Sequence, residues 1–256
     1  MALSFLPSFR NSHTIDRGWD FPRIFVLAVR PRKKPDSDDA VYVVVETEEK
    51  IVHLDNEVWE AFLTISYSLI TNEHVMTGGN FLSSYHRRYK EPNGMVSLTS
   101  HGYGHGAVFL DLPGLSGNRV GSFLMHLVVR WLKQWPLASV HPIELLPEDA
   151  QGTNGPRRNA FYQNIGLEFD GLENQVERVY SKPTTVEKLI VTDSWKQNIE
   201  VVSMADFLIQ NTTQVKSLRF ELENQKDIAE SQYQRANRLE KQSPLHWLKL
   251  LWWKIT

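Results

Sequence analysis

Apolar residues fall into three kinds of pattern along this chain. Near the N-terminus, "RIFVLAVRPRKKPDSDDAVYVVVETEE" holds two runs of consecutive β-branched and aromatic residues, Phe25–Val29 and Val41–Val45. Such runs predict strands, and the intervening Pro31, Pro35 and Asp36 suit the turn between them. The mixed charges of that turn read as a solvated loop, with anion binding as the alternative. In "LDNEVWEAFLTISYSLIT" the apolar residues Val58, Phe62, Ile65 and Leu69 have helical spacing, which predicts a helix capped by Asp55 or Asn56. "MVSLTSHGYGHGAVFLDLPGL" reads as strand, glycine-rich turn, strand.

The stretch "LSGNRVGSFLMHLVVRWLKQWP" carries a second helical pattern, starting at about Ser122 and ending at Pro136. Phe123, Leu124, Leu127, Val128, Trp131, Leu132 and Trp135 form its apolar stripe, with Arg130, Lys133 and Gln134 off it. "ASVHPIELLPED" predicts a short strand with Pro142 at an irregular or edge position. "GPRRNAFYQNI" predicts a short helix stopping at Gly166, and "LEFDGL" and "QVERVYSKP" two more strands. The order argues for one α/β or α+β layered domain over residues 1–183. Residues 184–203 read as a connecting segment, with a strand at Lys188–Val191 as one reading.

The third pattern starts near residue 204. Leu208, Asn211, Val215, Leu218, Leu222, Gln225, Ala229, Gln232, Ala236 and Leu239 alternate in steps of three and four, with no glycine or proline from Met204 to Gln242. This predicts a long helix with a heptad seam, apolar at its ends and polar in its middle. Pro244 breaks it. The closing "LHWLKLLWWKIT" sets Trp247, Trp252 and Trp253 among leucines, with Lys249 and Lys254, a composition that suits docking on protein or on a membrane interface. Residues 204–256 therefore form a helical extension expected to hold the protein in a homo-oligomer or a larger assembly, contact with protein being favoured over membrane.

Composition narrows the chemistry. The 256 residues carry a net charge of −2, so no global field favours nucleic acid. Cysteine is absent, which excludes disulfides, thiolate metal sites and a cysteine nucleophile. No secretory signal is legible at the N-terminus, and no apolar run approaches the roughly 20 residues that span a bilayer, so a cytoplasmic location is expected. "SHGYGHG", residues 100 to 106, places His101 and His105 around a tyrosine. A hairpin tip explains it better than a metal site, because no third ligand lies nearby, and no metal is expected.

What remains is the glycine pair before the second helix. Backbone N–H groups exposed at a helix N-terminus suit phosphate, and glycine lets an anion approach the backbone. A turn that merely packs the helix on the sheet is the plainer alternative. Context adds a resemblance. "FLDLPGLSGNRVGSFLMHLVVRWLKQ" resembles the core motif of the GNAT acyltransferase superfamily, in which a strand and a short loop, Q/R-x-x-G-x-G/A, lead into a long helix. "NGPRRNAFYQNIGLEFD" resembles that family's last motif, and the two occur in the family's order across about residues 106 to 170.

The resemblance implies a mixed sheet flanked by helices and an acetyl coenzyme A-dependent N-acyltransferase. It implies that the amides of Gly117, Asn118, Arg119, Val120, Gly121 and Ser122 hold the pyrophosphate. It further implies that the strand Phe109 to Leu112 splays from Ile143 to Leu146, so that pantetheine pairs with backbone groups such as those of Leu110 and Leu112. Asn154 is placed beside the cofactor and Tyr162 as the acid that protonates the leaving thiolate. Asp111 is the candidate base for the amine, with an ordinary strand-end carboxylate as the alternative. The chain departs from the family pattern at Ser116, Arg119 and Leu167. Those departures keep a second expectation open, a catalytically weak or inactive GNAT-fold subunit of a larger assembly. A membrane-interface protein is the third.

Overall fold

A computed structural model of the chain describes residues 23–35, 40–70, 77–88, 91–102, 112, 114–150, 154–172, 177–242 and 253. Within them the protein is mixed α/β, with one large, mostly antiparallel sheet and a long C-terminal helix. Residues 109–111 of the expected strand Phe109–Leu112 and most of the Trp-rich tail lie outside the described residues.

Among the described residues five strands come before any helix: β1 (Ile24–Val29), β2 (Val41–Leu54), β3 (Glu57–Leu69), β4 (Gly78–Arg88) and β5 (Glu91–Ser97). They form an antiparallel meander. The helix expected over Val58–Leu69 is therefore corrected to the strand β3. Its register pairs Ile65 with Thr47 of β2 and with Phe81 of β4. The reason lies in a second period in the same residues. Ala61, Leu63, Ile65, Tyr67 and Leu69 are buried on one face, alternating with half-buried Phe62, Thr64 and Ser66 on the other. Asp55 and Asn56, expected as a helix cap, form the tight turn between β2 and β3, with φ of 52° and 65°. Positive φ at both central residues makes a turn whose twist matches a hairpin, and Asp and Asn tolerate it better than other non-glycine residues.

Helix α1 (Val120–Leu132) follows, then the two-residue strands β6 (Ser139–Val140) and β7 (Glu144–Leu145). β6 pairs parallel with β5, so β5–α1–β6 is a crossover unit at one edge of the seven-stranded sheet, whose order is β6-β5-β4-β3-β2-β1-β9. α2 (Asn154–Asn164) and β8 (Val179–Tyr180) come next, β8 pairing with β7 in a separate ribbon. Of the strand expected at "LEFDGL" only an isolated bridge from Phe169 to Ser181 forms.

Residues 184–203, expected as a connecting segment, instead complete this domain. Short 3-10 turns at Val186–Lys188 and Ser194–Gln197 lead into β9 (Ile199–Ser203), which pairs antiparallel with β1 at the other edge of the sheet. The turn Val186–Lys188 replaces the strand considered at Lys188–Val191. Val186, Leu189, Trp195 and Ile199 are buried, and the edge of the Phe123 ring meets Trp195 at 4.8 Å. α1 thus lies between the sheet, where Phe123 also meets Phe25, and the 186–197 segment. The compact unit ends at Met204.

The second unit, Ala205–Thr256, holds all but the first residue of helix α3 (Met204–Gln242), which is unbroken for 39 residues. No helix among the described residues is long and apolar enough to cross a membrane. Trp253 is helical and 86% exposed.

Candidate functional site

The loop before α1 is built by two successive turns. Leu115 N–H donates to Leu112 O and Asn118 N–H to Leu115 O, both at 3.1 Å. Gly114 and Gly117 have φ of 76° and 81°, and a Cβ on either would meet nothing within 4 Å. Glycine is required there by backbone conformation, not by close packing. Arg119 occupies the N-cap with φ of 64° and makes no side-chain capping bond. The first helical hydrogen bond runs from Phe123 N–H to Arg119 O at 3.0 Å, so the N–H groups of Val120, Gly121 and Ser122 precede the helical ladder. The first turn contains no acidic side chain of its own to offset its partial positive charge.

Two arginines flank this turn. The Arg119 guanidinium donates to Asn198 Oδ1 at 3.3 Å. Burial, and next the positive charge of Arg32, hold its pKa below the usual arginine range. Buried Asn198 donates its amide N–H groups to Arg30 O and Asn118 O, each at 3.0 Å, and Arg32 N–H donates to Asn118 Oδ1 at 2.9 Å. Asn198 therefore ties the loop to the end of β1. Sequence reasoning missed it, because the contact joins residues far apart in the chain and no local pattern marks it. From the other side, Arg157 of α2 donates to the Ser116 hydroxyl and to Asn154 Oδ1.

Asn154 is α2's first residue. Its amide N–H reaches Asp149 O at 2.6 Å and its oxygen accepts from Arg157 at 2.7 Å, so both ends of the amide are held within the chain. Tyr162, two turns further along α2, is 7% exposed, with Phe161 and Phe169 against its ring. Burial pushes its hydroxyl up to about 12; Arg158 opposes that rise and Asp149 adds to it. Arg158 donates to Leu146 O at 2.6 Å, just beyond β7. Burial also lowers the Arg158 pKa, opposed by Asp149.

The parallel pair opens after two residues. Met95 faces Ser139 and Val96 faces Val140; His141 N–H still reaches Val96 O at 2.8 Å. Beyond that point the strand turns to β8: Ile143 N–H donates to Ser181 Oγ and Ser181 N–H to Ile143 O, both at 2.9 Å. Among the described residues, the strand that parts from the Ile143–Leu146 segment is β5. Leu112 is buried but lies in no strand, and Leu110 and Asp111 lie outside the described residues.

On the sheet face opposite α1 there is a second polar cluster. His86 Nδ1 is 3.3 Å from Glu60 Oε1, and His86 Nε2–H donates to His101 O at 3.2 Å. His101 Nε2–H donates to Leu63 O at 3.0 Å and lies 3.3 Å from Thr64 Oγ1. A shallow cavity of about 330 Å³ is lined by Glu48, Lys50, Phe62, Thr64 and His101. His101 is thus fixed by backbone; His105 lies outside the described residues. Among those described, no group of three or more His, Asp or Glu is placed to hold a metal.

No family model, no curated protein and no solved structure matches this chain. The geometry around α1 therefore carries the functional argument.

Proposed function

We propose that the sheet domain is a GNAT-like acyltransferase that moves an acetyl group from acetyl coenzyme A to an amine. The observation that carries this reading is the start of α1. The amides of Val120, Gly121 and Ser122, which precede the helical ladder, and a first turn with no acidic side chain of its own, flanked by Arg119 and Arg157, are suited to a pyrophosphate. The helix also links two parallel strands that part after a short pairing, which leaves a place for an extended thiol arm to meet backbone groups.

The chemistry is nucleophilic addition of a neutral amine to the thioester carbonyl, then breaking of the C–S bond with the electron pair leaving on sulfur. Tyr162 keeps its proton throughout the physiological range, since its hydroxyl sits at about 12. Proton transfer from such a phenol to a thiolate of pKa about 8.5 is uphill. The phenol therefore acts as a hydrogen-bond donor to the developing thiolate; the attacking nitrogen gives up its proton to solvent, and solvent supplies the proton that ends on sulfur.

Two observations favour a second reading, a GNAT-fold subunit with little or no turnover in a larger assembly. Asn154 is already satisfied within the chain, and α3 carries an exposed apolar seam. Calorimetry with acetyl coenzyme A, followed by thiol release over a panel of amines, separates the two. Binding that Gly121→Glu abolishes, with turnover that Tyr162→Phe lowers about a hundredfold, supports the enzyme. Binding without turnover on any amine supports the subunit. Absence of binding at millimolar ligand removes the coenzyme A reading altogether.

A further inference from the structure

The seam of α3 is exposed at its large apolar residues. The helix is unbroken over 39 residues, about 58 Å at 1.5 Å per residue. Leu208, Val215, Leu218, Leu222 and Leu239 are 47–61% exposed on it. In heptad notation the a positions are Leu208, Val215, Leu222, Ala229 and Ala236, every one apolar. The d positions are Asn211, Leu218, Gln225, Gln232 and Leu239, so every polar seam residue stands at d.

That segregation decides orientation. In an antiparallel pair, d faces a of the partner. Asn211, Gln225 and Gln232 would then each meet an apolar residue at any register, leaving a buried amide without a partner of its kind. In a parallel pair, d faces d. Each amide then meets its own copy only when the two helices are in register, because a slip of one heptad sets Asn211 against Leu218 and Gln232 against Leu239. The flanking positions agree. In a parallel in-register pair each g residue neighbours the partner's e residue five positions on, which gives Phe207 with Thr212, Gln214 with Arg219, Glu221 with Lys226, Ile228 with Tyr233 and Arg235 with Glu240. Two of these pairs are of opposite charge, and none is of like charge.

We infer that α3 pairs with α3 of a second copy of this chain as a two-stranded, parallel, in-register coiled coil. This stands whether or not the sheet domain transfers acyl groups. The apolar stripe in steps of three and four gives the seam, and the polar d layers fix its alignment at a cost in affinity.

The lack of cysteine makes the test direct, because an introduced thiol is the only one present. Full-length Leu218→Cys, mildly oxidised, is expected to form a disulfide dimer, as d meets d. A mixture of Leu218→Cys and Ala229→Cys is expected to give only like-with-like dimers; a cross-linked 218–229 pair means antiparallel pairing and overturns the proposal. Glu221→Lys is expected to weaken the dimer about tenfold, since the change acts twice per dimer, and adding Lys226→Glu is expected to restore it. Weakening without restoration overturns the register. Light scattering of the wild type at about 100 μM is expected to give twice the chain mass; a monomer or a trimer overturns the inference.

Discussion

Helices α1 and α3 obey opposite rules in one chain. α1 has 13 residues, of which ten are buried, including His126. α3 is three times as long, and none of its residues from Ala205 to Leu239 is buried. The contrast follows from the width of the apolar stripe. α1 is apolar nearly all round, so it needs cover on two sides, which the sheet and the 186–197 segment supply. α3 is apolar at every a position and at Leu218 and Leu239 of d, with only scattered apolar residues such as Ile209, Phe220 and Ile228 elsewhere, a stripe too narrow for a sheet and suited to another helix. A helix's stripe thus reports the shape of what it must meet, and its length says little.

The largest expected effect breaks α1. Phe123 is fully buried, edge-on to both Phe25 and Trp195. Phe123→Ala should cost the sheet domain about 3–5 kcal/mol, read by urea unfolding followed by tryptophan fluorescence. A loss under 1 kcal/mol means that the 186–197 segment does not cover α1. The matching change in α3 has the opposite signature. Leu222→Ala keeps helix propensity and should leave the sheet domain's unfolding midpoint unchanged, while weakening association about a hundredfold by sedimentation or light scattering. A fall in domain stability would show that α3 does not act independently of the sheet.

These two helices were also the most legible in the sequence, because each pattern extends over several turns. α3's bounds follow from the run without glycine or proline and from the break at Pro244. β3 was misread because Val58, Phe62, Ile65 and Leu69 satisfy a helical period while Leu63, Ile65, Tyr67 and Leu69 satisfy a strand period. The β-branched and hydroxylated residues Thr64, Ile65 and Ser66 already favoured the strand, and Asp55-Asn56 fits a hairpin turn as well as a cap. In the candidate site, the glycine loop and Tyr162 were legible as local motifs. The tie from Asn198 through Arg119, Asn118 and Arg30 was not, because it is made by tertiary contacts across the domain.

The next effect is smaller and depends on pH. Burial holds the His126 imidazole below its usual pKa of 6.5; the Thr192 carbonyl and Asp193 oppose this, and Arg130 and Lys196 add to it. The unfolded chain takes up a proton near 6.5 that the folded chain accepts only at lower pH. The contribution to stability is therefore complete above pH 6.5 and is lost as pH falls toward the folded pKa, by up to about 1.4 kcal/mol per pH unit. His126→Gln should flatten the fall in urea midpoint between pH 7.5 and 5.5, compared with wild type. Identical slopes would mean that His126 is not buried in the neutral form. α3 contains no histidine, so association through it should lack this step over the same range.

The smallest effect separates a seam from mere hydrophobicity. Phe220 is the large aromatic in the first half of α3 most open to solvent, at 66% exposed, and it stands at f, on the side of the helix away from a and d. If apolar exposure alone drove association, Phe220 would be a principal contact and Phe220→Lys would disperse the protein. If the heptad seam drives it, Phe220 stays in water in both monomer and dimer. Its replacement should then change association and domain stability by less than about 0.5 kcal/mol. Comparing Phe220→Lys with Leu222→Ala at equal concentration makes the distinction within two positions of the same helix. A weaker dimer from the lysine and an unchanged one from the alanine would move the contact to the other face of α3 and void the heptad assignment.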